Sequence, residues 1–215
     1  MGREPPALPS LSDTEKEALK FLDRDFNQCF QQMRHYDAQV LDVAKFLLTV
    51  YSGLIGLALA LRQFAIKEQV DLQYPIVASL GAALLLGLAL YWCVVRNRVY
   101  FVHAARYINE QRRHFLRYKP LGFTNESRMY TDPAQPPFAD FWSSQAIIAT
   151  SIALLNSILI GMLAYIYFVD SNPPLTPYAV AGDIITAFLV QVLASARYLK
   201  SRENKSASTS VFGRE

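Results

Sequence analysis

The chain has 215 residues, of which 52% are hydrophobic and 18% charged, with a formal net charge of +3. Soluble domains carry about a quarter charged residues, and here the apolar residues are bunched into long runs, so composition argues against a soluble globular protein and for an integral membrane one. Two cysteines (Cys29, Cys93) and three histidines (His35, His103, His114) exclude a disulfide framework and leave no cluster with metal-site spacing.

Residues 1–11 are Pro-rich, lack the apolar core of a secretory signal, and are expected to be flexible. Ser12 then reads as a helix N-cap, with Asp13, Glu15 and Glu17 placed to favour the positive end of the helix dipole. Leu19, Leu22, Phe26, Cys29, Met33, Tyr36 and Val40 recur at spacings of three and four, which is one apolar stripe of a helix. Lys20, Arg24, Asn27, Gln31 and Arg34 form the polar face opposite. No breaker follows, so this helix is predicted to run into a first span over 43–66, with Lys45 and Arg62 near its ends, where long basic side chains reach the headgroups.

A short connection, 67–74, leads to a second span over 75–95, which is 21 residues without a charge and enough to cross a bilayer core. Arg96 to Arg117 follows without Gly or Pro, predicting that the helix continues as a basic amphipathic stalk to about residue 119. The unit 12–119 is thus a transmembrane hairpin with stalk helices. Residues 1–44 carry eight acids and five bases, so the two extensions are expected to pair by charge, and through apolar positions such as Phe101, Ala105, Ile108 and Phe115.

Pro120, Gly122, Pro133, Pro136 and Pro137 forbid a long helix across 120–141, which is read as a cytoplasmic loop. A second hairpin over 142–200 follows, with spans at 142–169 and 178–198, and the polar, low-complexity stretch 201–215 is expected to be disordered. The fold class is therefore an all-α membrane protein, with four transmembrane helices and long cytoplasmic extensions of spans 1 and 2.

Segment 96–141 carries eight Lys/Arg, and Arg197, Lys200, Arg202, Lys205 and Arg214 follow the last span, whereas 67–74 has one and 170–177 none. The positive-inside rule places the termini and the middle segment in the cytoplasm.

Small residues face one side of each span of the first hairpin: Gly53 and Gly56, and Ser79, Ala83 and Gly87. Such faces let helices approach closely, within the monomer or in a homo-oligomer. Asn156 and Gln191 fall at one depth, where an interhelical hydrogen bond is the economical account and a pore lining the sharper one. Asp183 lies about one and a half turns inside the fourth span, with Tyr165 placed to donate to it, in a structural or an ion-handling role. Asp42 and Lys45 are expected to pair at i,i+3.

On the stalk, His103, Arg106, Glu110, Arg113 and Arg117 share one helix face. It is a solvated or headgroup-facing surface, or a site for a cytoplasmic protein or an anionic ligand such as a nucleotide, to which Arg128 would add a fork and Tyr130 a stacking ring. No Gly-rich phosphate loop accompanies it, and no GxSxG, HExxH, P-loop or paired-carboxylate motif is present. An enzyme, a cofactor, a bound metal and DNA binding are all unexpected.

The hairpin Leu22–Gln63 plus Pro75–Lys119 resembles SLATT-type prokaryotic membrane domains, most of all over Tyr100-Phe-Val-His-Ala-Ala-Arg-Tyr-Ile-Asn-Glu-Gln-Arg-Arg. The resemblance covers about two fifths of the chain, is one of pattern, and carries over no catalytic residue. Its second pair of spans looks like the related four-span effectors. It implies a bacterial inner-membrane effector of antiphage defence that oligomerises and permeabilises or perturbs the membrane in response to a cytoplasmic signal. The alternatives are a scaffold whose basic stalk docks a soluble partner and, third, a small transporter or channel subunit resting on Asp183.

Overall fold

The computed structural model describes residues 12–116, 124–127, 130–168 and 176–209. They form four helices, α1 (Asp13–Glu68), α2 (Gln73–Leu116), α3 (Ser144–Phe168) and α4 (Thr176–Thr209). Each contains a stretch long and apolar enough to cross a membrane.

The start of α1 is fixed by a capping box: Glu15 N–H donates to Ser12 Oγ at 3.3 Å while the Glu15 carboxylate accepts from Ser12 N–H at 2.8 Å. With no proline inside it, α1 runs unbroken for 56 residues and ends at Gln69, in the left-handed region at φ 54°, where Val70 N–H closes on the Ala65 carbonyl at 3.1 Å. Pro75 lies in the first turn of α2, where the missing N–H leaves no helix bond unmade. The 44 residues of α2 pass from apolar to basic sequence as one continuous helix, roughly 65 Å long at the α-helical rise.

Consecutive helices pack side by side, and α1 leans mainly on α2 with a small contact to α3. The core joins Val40, Leu47, Tyr51 and Ala58 of α1, Leu80, Ala83, Tyr91 and Val94 of α2, and Ile152, Ala153 and Leu159 of α3. From α4 only half-buried side chains such as Phe188, Val192 and Leu199 reach it.

Three expectations change. The third helix begins at Ser144 rather than 142, because Asp140 and Ser143 build a turn first: Trp142 N–H donates to Asp140 Oδ1 at 3.1 Å and Ala146 N–H to Ser143 Oγ at 3.3 Å. The stretch from Ser201 is not disordered as far as Thr209 but is the last part of α4. The stalk helices also meet without an ion pair among the described residues. Instead Asp25 accepts from Tyr107 Oη at 2.7 Å and Gln111 Nε2 at 2.9 Å, Tyr36 stacks on Tyr100, and Arg112 lies over the Phe26 ring. The hydrogen bond to Asp25 pushes the Tyr107 phenol above its ordinary value. Phe101 packs against a second cluster, around Phe138. Asp42 and Lys45 pair at 3.6 Å. Residues 1–11 and 210–215, and parts of the loop, lie outside the described residues.

Candidate functional site

The stalk of α2 is buried on two sides, by α1 and by the Pro-rich loop. Phe138 is the loop's anchor. It is fully buried against Val99 and Val102, with Phe101, Tyr198 and Leu199 around it. Anchoring an aromatic among prolines brings backbone carbonyls against the helix, and these need donors. The α2 side chains supply them. Arg98 Nη2 donates to the Pro137 carbonyl at 2.8 Å and its Nε to that of Phe138 at 3.3 Å. Arg106 Nε donates to the Pro136 carbonyl at 3.1 Å, and Asn109 Nδ2 to those of Asp132 and Gln135 at 3.1 and 2.8 Å.

Glu203, on the last part of α4, closes the assembly. Its Oε1 accepts from Arg106 Nη2 at 2.6 Å and its Oε2 from Phe138 N–H at 3.0 Å. One carboxylate therefore holds α2, the loop and α4 together, which is why α4 stays helical past Ser201. The Arg106 guanidinium also lies 4.6 Å from the centroid of the Phe138 ring, and His103 meets that ring edge-on at 5.1 Å. Burial pushes Arg98 below the ordinary arginine value, opposed by the Asp140 and Asp37 carboxylates. Burial, then the charges of Arg106 and Arg202, pushes His103 down as well.

The expected anion-binding face is not assembled as read from spacing. Arg106 is committed to Glu203 and the loop, and His103 packs on Phe138. Glu110 and Arg113 remain exposed. Tyr130 is exposed, with Arg112 over its ring, while Arg117 and Arg128 lie outside the described residues. The physical reason is that the loop folds back on this face, so its acceptors and Glu203 reach Arg106 before any solute does. Sequence reasoning missed Arg98, Asn109, Phe138 and Glu203.

A second polar assembly lies deep among the helices. Asn156 is fully buried, accepts from Tyr51 Oη, and donates from Nδ2 to Gln191 Oε1 at 2.9 Å. Gln191 Nε2 lies 3.2 Å from Ser157 Oγ, and Tyr91 Oη donates to the Gln191 carbonyl at 2.9 Å. The expected Asn156–Gln191 bond is thus one part of a knot tying all four helices. Its groups satisfy one another across the helices. A Cβ at Gly87 would overlap Tyr51 Oη and Asn156 Oδ1, so glycine is what lets α2 close on the knot.

Ala83 and Gly87 are accordingly buried inside the monomer, where they serve intramolecular packing, while Ser79 is half-buried and its Oγ bonds back to the Pro75 carbonyl of its own helix at 2.9 Å. Gly53 and Gly56 differ: nothing lies within 4 Å of a Cβ built on either. Asp183 is half-buried and receives no hydrogen bond from Tyr165, whose ring faces Arg62 at 5.4 Å instead. No protein-family model matches the chain, and no curated protein or solved structure matches it either.

Proposed function

We propose that the chain is a non-enzymatic, multi-pass protein of the bacterial inner membrane, with both termini and the stalk in the cytoplasm. It self-associates and permeabilises or perturbs the bilayer when a cytoplasmic ligand or partner engages the stalk. The observation that carries this is the uncovered face of α1. Gly53 and Gly56 are open, and Leu48, Leu57 and Leu59 are about half exposed beside them, a surface on which a second helix can approach closely. The satisfied knot of Tyr51, Asn156 and Gln191 supports a permeation path built from several copies rather than through one. The pattern resemblance of the hairpin to SLATT-type domains points the same way.

In this reading an anionic ligand acts by competing with Glu203 for Arg106, which frees the loop and the end of α4. The test is ion efflux from liposomes holding the purified protein, for wild type and for Glu203→Ala, which opens the clasp without a ligand. Efflux that rises in the variant supports the effector. Two intact proteins without efflux would overturn it in favour of the scaffold. That second reading has its own observation: Leu19 and Tyr130 are exposed at the tip of the stalk beside Phe26 and Arg112, a surface of the kind that docks partners.

A further inference from the structure

At the end of the bundle away from the stalk, α1 leans on α2 while α3 closes on α4. Gly161 permits that second approach, since a Cβ there would press on Ile184. Between the two pairs a crevice of about 260 Å³ is left, walled by Leu59, Leu80, Ile158, Met162 and Ile184. Its walls are apolar, except that Arg62 and Tyr165 stand in them. A further recess of about 320 Å³ shares Arg62, Ile76 and Ile166 and reaches the turn between α1 and α2, where Asp71 and Gln73 line it.

We infer that this groove seats one membrane glycerophospholipid, with an acyl chain in the crevice and the phosphate on Arg62. The inference rests on the membrane reading above. An apolar groove at this depth is a poor place for water and loses dispersion contacts if nothing fills it. Acyl chains are the medium that would surround it. Arg62 lies six residues before the end of α1, at the level where a long basic side chain reaches headgroups. The carbon of its guanidinium lies 5.4 Å from the Tyr165 ring centroid, and no hydrogen bond to another described residue takes up its N–H donors. No carboxylate lies within ion-pair distance of it among the described residues. That planar fork matches two phosphate oxygens, which a diacylglycerol or a second copy of this apolar face would not offer.

The test begins with fractionation: recovery in the soluble fraction would sink the membrane reading itself. Membrane-extracted protein is then delipidated in detergent, incubated with dioleoyl phosphatidylglycerol, dioleoylglycerol or glycerol phosphate, and weighed by native mass spectrometry. The expected result is one retained phospholipid and little of either fragment. Arg62→Gln lowers retention about tenfold or more, the scale of losing a hydrogen bond to a charged group. Arg62→Lys keeps part of it. Leu59→Trp with Ile158→Trp fills the crevice from exposed positions and abolishes retention. Circular dichroism and melting check that each variant is folded. Equal retention by wild type and Arg62→Gln would overturn the phosphate contact, and unchanged retention in the Trp pair would overturn the groove. Dimers with no retained lipid would assign the face to a second copy.

Discussion

Both oxygens of Glu203 are in use, one on Arg106 and one on the Phe138 amide, although about a third of its side chain is exposed (35%). Glu203→Ala leaves two donors unpaired, one of them on an arginine that is itself largely buried. Hydrogen bonds to charged groups are worth about 1.5–3 kcal/mol, and exposure discounts this to about 1–2 kcal/mol. The expected outcome is a lower melting temperature in detergent, a smaller loss in Glu203→Gln, and non-additivity with Arg106→Ala. A melting temperature unmoved by Glu203→Ala would remove the clasp as a source of stability. His103 adds a pH dependence to the same place. Burial and the nearby Arg106 and Arg202 hold its folded pKa below the ordinary value of 6.5. On acidification the unfolded chain therefore takes the proton first, and stability falls as pH drops through about 6.5, levelling off below the folded pKa. The ring is partly solvated, so the effect is small. It is checked by melting at about pH 7.5 and 5.5, where wild type should lose more than His103→Gln; equal losses would exclude His103 as the cause.

At the scale of elements, the long helices were legible because nothing interrupts them: Ser12 with Glu15 marks the start of α1, and the run from Pro75 through Arg96 contains no breaker. Equal depth made the Asn156–Gln191 bond legible, but neither Tyr51 nor Gly87 could be assigned to it, since their rotation about the helix axes is set by packing. The prolines of the loop predict that it is not a long helix, yet they say nothing about where their carbonyls point. A signal was present in Arg98, Val102, Arg106 and Asn109, which recur at spacings of four and three and mark a second covered face of the stalk. For Ser201 onward, composition predicted disorder, and Glu203, the first acid after Asp183, overrides it by a tertiary contact. Helix packing yields a contrast within α2. Gly87→Ala drives a methyl into Tyr51 and Asn156 and should cost about 1–3 kcal/mol or more. Gly81→Ala meets nothing within 4 Å and should gain about 1 kcal/mol from helix propensity. Thermal melting of the two variants measures this, and a Gly87→Ala variant that melts no lower than wild type would show that α2 does not close on the knot at Gly87.

In the whole molecule two carboxylates help tie the stalk end, Asp25 to α2 and Glu203 across α2, the loop and α4, while α1 keeps one long face uncovered. That asymmetry sets fold stability and assembly on different residues, so they can be perturbed separately. Gly53 and Gly56 are exposed, with nothing within 4 Å of a Cβ built on either, and leucine is the better helix former by about 0.8 kcal/mol at each position. The double variant Gly53→Leu/Gly56→Leu should therefore melt at or above the wild-type temperature. If copies meet through this face, the same two side chains hold neighbouring backbones apart, because close approach is what small residues permit. Cross-linking in native membranes should then show a loss of oligomer, with a matching loss of ion efflux from liposomes. A destabilised monomer would show instead that α1 is covered within the chain. An oligomer that survives in a well-folded double variant would move the contact off Gly53 and Gly56, and with it the mechanism of assembly proposed for this protein.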